Sequence, residues 1–406
     1  MKLSIIICVR NTERGLLEKC LESIGRATVG MSDCEIIMVD DGSENSYGDI
    51  ATAFGARYEK QQSAGTLAAR LHGITLAHGE YIAFADSDDT VSFNYYPPMI
   101  KRADEGFDIV FGPWAFHTRN TRYVCSGDDS VSGDILSDEP LPLFLIREGR
   151  QHSYYVLWNK IYRSSILKAA AAKLSAIDAP HPFCFSEDAL INLFAFSTAK
   201  KVAAVGYGYY FYRIHGEQTV NVTSKKKLLY QATCMSYTLE KCRETVTGRR
   251  GEKTLLERTE SWSGLMARTH FAYAKRGGYT DVFPLLKEKY RVRTLDMPSR
   301  RDSAVYDRVR LLPDSAEKID TALLSLCEQG GIVRLKKPKR GGYAELLLRG
   351  LLYVGWKIEF CKRYPALPPE RISPFKRILF NAAVRRIGSA LFGKGSRIRA
   401  FLKRFI

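Results

Sequence analysis

Carboxylates cluster twice in the first part of the chain, as Asp40-Asp41 and as Asp86-Ser87-Asp88-Asp89. Each cluster follows an apolar run of strand length. Carboxylates gathered at one place repel one another, so they need a divalent cation, a hydrogen-bonding ligand or open solvent. The Asp-x-Asp spacing offers hard oxygen ligands suited to Mg²⁺ or Mn²⁺, ions commonly held by one or two carboxylates together with substrate phosphates. A chelated diphosphate is the natural partner. The plainer reading of the same residues is that they cap turns and helices.

The elements around these clusters decide whether they can meet. Leu3–Val9 is a continuous Ile-rich run, as expected for a strand covered on both faces. Arg14–Ile24 carries Leu16, Leu17, Cys20, Leu21 and Ile24 at helical spacing. Glu35–Val39, Ala56–Glu59 and Tyr81–Ala85 read as further strands, and Asp49–Phe54 and Thr66–Ala77 as helices. The alternation predicts an α/β fold with a mostly parallel, doubly wound sheet. Ligands of such sheets bind outside the carboxyl ends of the strands. Both acidic clusters therefore belong to one rim. Farther on, Asp108–Gly112 reads as a strand and His117–Gly133 as a polar hairpin. Tyr154–Leu167 and Ser186–Ser197 read as helices, and Val202–Tyr212 as an aromatic strand. From 224 to 329 the patterns are helical, with breaks at 248–251, 277–278 and Pro313.

The chain has 406 residues, more than the roughly 250–300 at which a single core stops growing. Its 45% hydrophobic and 26% charged content is that of a folded, non-polytopic protein. The formal charge of +17 is lopsided. Residues 331–406 hold 19 Lys and Arg against 3 Asp and Glu, and the remainder is nearly balanced at 42 against 41. Nine scattered cysteines without a CxxC pair read as reduced thiols in a cytosolic setting. No signal-peptide pattern precedes the first strand, and no apolar stretch is long enough to span a bilayer. HExxH, GxSxG, Walker A and GxGxxG motifs are all absent, which disfavours metalloprotease, esterase, P-loop and nicotinamide chemistry.

Four segments in order carry a family resemblance: Ser4-Ile5-Ile6-Ile7-Cys8-Val9-Arg10-Asn11, Val39-Asp40-Asp41-Gly42-Ser43, Gly65 with Ala69-Arg70, and Gly79-Glu80-Tyr81-Ile82-Ala83-Phe84-Ala85-Asp86-Ser87-Asp88-Asp89. Together they resemble the nucleotide-binding half of family 2 glycosyltransferases of the GT-A fold. The likeness is strong over 1–112 and continues as weaker motifs to about 220. It implies an inverting hexosyl transfer from a UDP-sugar with Mn²⁺ or Mg²⁺, as in polysaccharide biosynthesis for the cell envelope. It divides the chain into a catalytic domain at 1–222, with a nucleotide-binding half at 1–112 and an acceptor half at 113–222. A mainly α-helical region at 223–330 and a basic amphipathic tail at 331–406 follow.

The resemblance also implies roles. Asp41 matches the residue that contacts the nucleobase, flanked by Val9 and Arg10. Arg10 stands where the family often has an aromatic residue. Arg70 matches a position near base and ribose; its plainer reading is a solvated helix arginine. Asp86 and Ser87 lie at the first part of the DxD motif near the ribose, and Asp88 matches the direct metal ligand. Asp89 reads as a support or cap. Phe185-Ser186-Glu187-Asp188 looks like the family's Glu-Asp motif. One carboxylate must take the acceptor's proton, and Asp188 is expected to do so, with Glu187 second. The alternative is capping, with Ser186 as N-cap and the acids favoured by the helix dipole. Trp158 could offer a flat face to a sugar and Lys160 could meet a phosphate; their plainer reading is a core aromatic and a surface lysine. His215 could ligand the metal, and Arg213 could neutralise phosphate instead.

In the tail, Ile398, Phe401, Leu402 and Phe405 share a helical face, and Arg397, Arg399, Lys403 and Arg404 fall off it. That is the composition of an interfacial helix on an anionic membrane; packing against the body is the alternative. Nucleic acid is disfavoured because no recognised nucleic-acid fold accompanies the charge. The expected setting is the cytoplasm, peripheral on the inner face of a bacterial cell membrane. The expected partners are a UDP-sugar and a glycan or lipid-linked acceptor, and the helical region is a candidate oligomer interface. Two other functions compete: a nucleotidyltransferase, which would release pyrophosphate, and a non-catalytic glycan- or membrane-binding module on a transferase fold.

Overall fold

The structure is a computed structural model that describes residues 1–31, 33–117, 123–125, 155–205, 208–213, 224–245, 250–290 and 310–311. The first strands form where the apolar runs predict them. β1 (Leu3–Val9) pairs in parallel with β2 (Cys34–Asp40) on one side and with β4 (Tyr81–Asp86) on the other; β3 (Arg57–Lys60) extends the sheet beyond β2. Helices α1 (Arg14–Ala27), α2 (Gly48–Ala53) and α3 (Thr66–Leu76) make the crossovers. Alternation along β1 sends Leu3, Ile5, Ile7 and Val9 to one face and Ile6 to the other. α3 lies so close to the sheet that a Cβ on Gly73 would sit 2.5 Å from a methyl of Ile6.

The far half of the sheet departs from the expected pattern. Tyr154–Leu167 is expected as one helix. Lys160–Arg163 is instead a strand, β9, followed by helix α5 (Ser164–Ser175). β9 runs antiparallel between β4 and β6 (Ile109–Phe111), and β10 (Val202–Ala204) flanks β6 in parallel. The sheet order is β10-β6-β9-β4-β1-β2-β3. A strand wedged between two others satisfies both edges' backbone groups. It also buries consecutive residues on opposite faces, Ile161 in one core layer and Tyr162 in the other. Short aromatic stretches fit helix and strand periods alike, so periodicity does not separate them.

The expected strand Val202–Tyr212 is also two strands. After β10 the chain turns through Gly208 at φ +79° and enters β11 (Tyr210–Arg213) of a second sheet. There β11 pairs with β7 (Trp114–His117) in parallel and with β5 (Thr90–Val91) antiparallel. β8 (Tyr123–Cys125) pairs antiparallel with β7, and α4 (Tyr96–Asp104), which lies between β5 and β6 in the chain, packs on β6, β9 and β10 of the first sheet.

Helix α6 (Glu187–Thr198) packs on α5, and α7 (Lys225–Thr245), α8 (Arg250–Arg276) and α9 (Phe283–Tyr290) follow. Leu228, Ala232, Met235, Ala267 and Phe271 of these helices join the same apolar cluster as Ile6, Phe84, Phe183 and Phe185. The described residues of α7, α8 and α9 therefore share a core with the sheet and do not form a separate one. Among the described residues no helix is long and apolar enough to cross a membrane. The basic tail lies outside the described residues.

Candidate active site

β1, β2 and β4 end side by side, so Val9, Asp40-Asp41 and Asp86 share the expected rim. Asp40 is a buried turn cap: Oδ1 accepts the Ser43 amide at 2.7 Å and Oδ2 the Tyr58 hydroxyl at 2.6 Å. Asp41 organises the next loop. Its carboxylate accepts Gln61 Nε2 at 2.9 Å, the Ala64 amide at 2.7 Å and the Gly65 amide at 2.9 Å. Arg10, half-exposed, brings Nη1 to 3.8 Å from Asp41 Oδ2. Val9 is buried.

Gly65 starts α3 at φ +97°, and any Cβ there would meet the backbone nitrogen of Phe183 at 2.7 Å. That close approach brings the 182–188 segment against the helix carrying Arg70. Arg70 is not a solvated helix residue; it is 5% exposed. Its Nη2 is 3.1 Å from Asp86 Oδ1 and its Nη1 is 2.9 Å from Glu187 Oε1. The same Nη1 is in ion contact with Asp188 Oδ1. A planar fork of donors is the side chain best suited to serve several carboxylates at once. Burial opposes the Arg70 charge, but Glu187 and Asp86 beside it hold its pKa above the ordinary value. Burial also pushes the Asp86 carboxyl up to about 6, against the pull of Arg70.

The rest of the Asp86–Asp89 turn is held by β11. The Tyr210 hydroxyl accepts the Asp86 amide at 3.0 Å and donates to Asp89 Oδ2 at 2.8 Å. Asp89 Oδ1 accepts the Arg213 amide at 2.7 Å. Burial, then the charges of Asp88 and Asp86, push the Asp89 carboxyl well above the usual range. Asp89 is thus a support inside the fold. Arg213 Nε donates to the Asp88 carbonyl at 3.0 Å. Ser87 Oγ lies 2.7 Å from Thr12 Oγ1. Asp88 is half-buried at the rim.

Among the described residues no three His, Cys, Asp or Glu side chains converge into a metal site. The donor set fits a Mg²⁺ or Mn²⁺ ion only in one manner: the Asp88 carboxylate together with diphosphate oxygens. His215 lies outside the described residues.

Two expected acceptor contacts are corrected. Trp158 is 3% exposed, and its ring is stacked on Tyr210 at 4.4 Å and on Tyr212 at 5.6 Å. No face is left for a sugar. Lys160 is fully buried; its Nζ donates to Asn159 Oδ1 at 2.6 Å and to the Val156 carbonyl, and lies 4.9 Å from the Phe111 ring centre. Burial pushes its pKa well down. It is a core lysine with internal partners and does not reach a phosphate on the rim. Both positions follow from the β9 insertion, which carries Lys160–Arg163 into the sheet and seats Trp158 just before it.

Ser186 occupies the N-cap position of α6 but does not cap it with its side chain. It stands at φ 63°, ψ 9°, with no side-chain cap, and its hydroxyl faces Thr238 Oγ1 of α7 at 2.8 Å. Sequence reasoning passed over Tyr210, Gln61 and Thr238 because each acts through a partner distant in sequence. The aromatic run at 209–212 is the one local signal that singles out Tyr210.

The family model described as "Glycosyl transferase family 2" matches residues 4–169. EpsH of Bacillus subtilis is 31% identical over 231 residues, covering 55% of this chain and 64% of its own length. Over residues 4–169 the chain is similar to glycosyltransferase family 2. A poly(ribitol-phosphate) β-glucosyltransferase of Bacillus spizizenii is 28% identical over 222 residues, covering 52% of this chain and 32% of the relative. The chain thus spans less than two thirds of either relative's length. The fold is shared with the structure of Staphylococcus aureus TarS 1–349 in complex with UDP-GlcNAc: TM-score 0.52, 17% identity, 90% of this chain and 89% of that one covered. The mostly parallel sheet is accordingly GT-A-like.

Proposed function

We propose that the protein is an inverting glycosyltransferase that moves a sugar from a UDP-sugar to a hydroxyl of a cell-envelope glycan or lipid-linked acceptor. One observation carries the reading. The buried Arg70 guanidinium gathers Asp86 from the donor rim and Glu187 and Asp188 from the start of α6 into one cluster. Carboxylates from two distant segments meet where a donor and an acceptor would meet. The TarS structure that shares the fold holds UDP-GlcNAc, and a relative is named for glucosyl transfer to poly(ribitol phosphate). Both support a UDP-sugar donor and an envelope-polymer acceptor.

In this reading Asp41 and the 61–65 loop it organises bind the nucleobase, with Arg10 over the entrance. Asp86 and Ser87 border the ribose. Asp88 would hold Mn²⁺ or Mg²⁺ jointly with the diphosphate, and the ion would offset charge on the departing UDP. Asp188 accepts the acceptor hydroxyl's proton as that oxygen forms its bond to the anomeric carbon. The bond from that carbon to the diphosphate breaks on the opposite face, which inverts the configuration. Arg70 stands in ion contact with the Asp188 carboxylate. The tail at 331–406 supplies a reversible hold on an anionic membrane surface.

The test is Asp188→Asn. UDP affinity by calorimetry should be unchanged while sugar transfer is lost. Near-normal turnover would move the base elsewhere.

A further inference from the structure

The segment that presents Glu187 and Asp188 is held from outside the family-matched residues. Ser186 sits in the left-handed region, which non-glycine residues seldom occupy. An ordinary N-cap is extended and gives its side-chain oxygen to an amide of the first turn. Ser186 does neither. Its hydroxyl is turned to Thr238 Oγ1, and both residues are buried, at 7% and 1% exposure. Two more contacts come from α7: the Tyr230 hydroxyl accepts the Cys184 amide at 2.7 Å and donates to the Pro182 carbonyl at 2.6 Å. On the opposite side, the Leu67 amide of α3 donates to the Phe183 carbonyl at 3.0 Å. The segment is therefore fixed between the helix that carries Arg70 and the helix that carries Thr238. Left-handed conformations at non-glycine residues persist where surrounding contacts over-determine them, often at functional sites.

We propose that Thr238 is a positioning residue for the transfer: through Ser186 it sets the direction in which Glu187 and Asp188 leave the elbow toward Arg70. This rests on the reading of Asp188 as base. The hydroxyl pair holds Ser186 in its left-handed conformation and keeps its side chain from capping α6. Without it, Ser186 is free to relax to an extended N-cap, and the first turn of α6 swings with it. A displacement of about 1 Å at a reacting group can lower a rate by about a hundredfold.

The experiment compares full-length native protein, Thr238→Val, Thr238→Ser and Asp188→Asn. Valine keeps the volume and removes the hydroxyl; serine keeps the hydroxyl. Turnover is read as UDP release from UDP-N-acetylglucosamine and from UDP-glucose with Mn²⁺, with poly(ribitol phosphate) as acceptor. Amide hydrogen exchange is read at 187–190. Thr238→Val should lower kcat about tenfold or more with the donor KM unchanged, and should speed exchange at 187–190. Thr238→Ser should restore both. If Asp188→Asn is dead while Thr238→Val keeps native kcat and native exchange, positioning is overturned and the base stands. If Asp188→Asn turns over normally, the base reading fails, and unchanged exchange in Thr238→Val alone then decides against positioning. Loss in Thr238→Ser equal to that in Thr238→Val also overturns it, because the hydroxyl is then not what matters.

Discussion

Arg70 and Asp188 are in direct ion contact, although one lies in α3 and the other at the start of α6. The same guanidinium holds Asp86 and Glu187. The end of β4 and the start of α6 are thus tied by one buried cation, and removing it strands three carboxylates.

Arg70→Met should therefore destabilise the fold by about 3–5 kcal/mol, the usual consequence of removing one partner from a buried ion cluster. Arg70→Lys should recover only part, because an ammonium cannot fork between carboxylates. Denaturant unfolding of the three proteins checks this. A methionine variant as stable as the native protein would mean the cluster does not hold the two sides together.

Asp88→Asn should remove the part of UDP affinity that depends on Mn²⁺. Calorimetric titration of native and variant protein, with Mn²⁺ and with a chelator, separates the cases. Native protein with chelator should resemble the variant with metal. Equal affinity in all four titrations would exclude Asp88 as the ion's ligand.

Tyr210→Phe deletes a hydroxyl that serves the Asp86 amide and the Asp89 carboxylate at once. Each buried group left without its partner costs about 1–3 kcal/mol. The variant should unfold at lower denaturant and lose turnover together, since the Asp86–Asp89 turn is then held from one side only. Unchanged unfolding would show that the hydroxyl is dispensable.

His270 ties the acid sensitivity of the helical region to a single ring. It is buried, with Gln231 Oε1 at 3.1 Å from Nε2 and the Tyr290 hydroxyl at 2.6 Å from Nδ1, and burial pushes its pKa down to about 4. The unfolded chain takes up the proton first, near pH 6.5. Its contribution to stability is complete above that pH and is lost as pH falls toward 4, by up to about 3 kcal/mol. His270→Gln should flatten the stability profile in this window. Parallel profiles for the two proteins between pH 7 and 4.5 would sink the assignment.

The full-length chain should co-sediment with anionic vesicles at low salt and be released as salt rises, because exposed charges are screened. Failure to sediment at low salt would remove the membrane role of the tail.

The parallel strands β1, β2 and β4, the helices between them and the rim of Asp41, Asp86 and Asp88 were all legible in the linear chain. Apolar runs of strand length declare burial on both faces, and the acids stand directly after them, so local pattern and position coincide. Glu187-Asp188 was legible as a motif at a helix start. What happens to a side chain once its strand finds a place was not legible. Whether Lys160 is a surface lysine or a core one depends on β9 lying between β4 and β6, a pairing of strands far apart in sequence. Whether Arg70 is a site residue or a solvated helix arginine depends on α3 and the 182–188 segment closing over it. Ser186 reads as a cap until Thr238 takes its hydroxyl. The direction of a side chain depends on register and on partners brought from elsewhere, and only the tertiary structure supplies these. Local periodicity determined the scaffold and the rim; long-range pairing decided which polar residues remain on that rim and which are taken into the core.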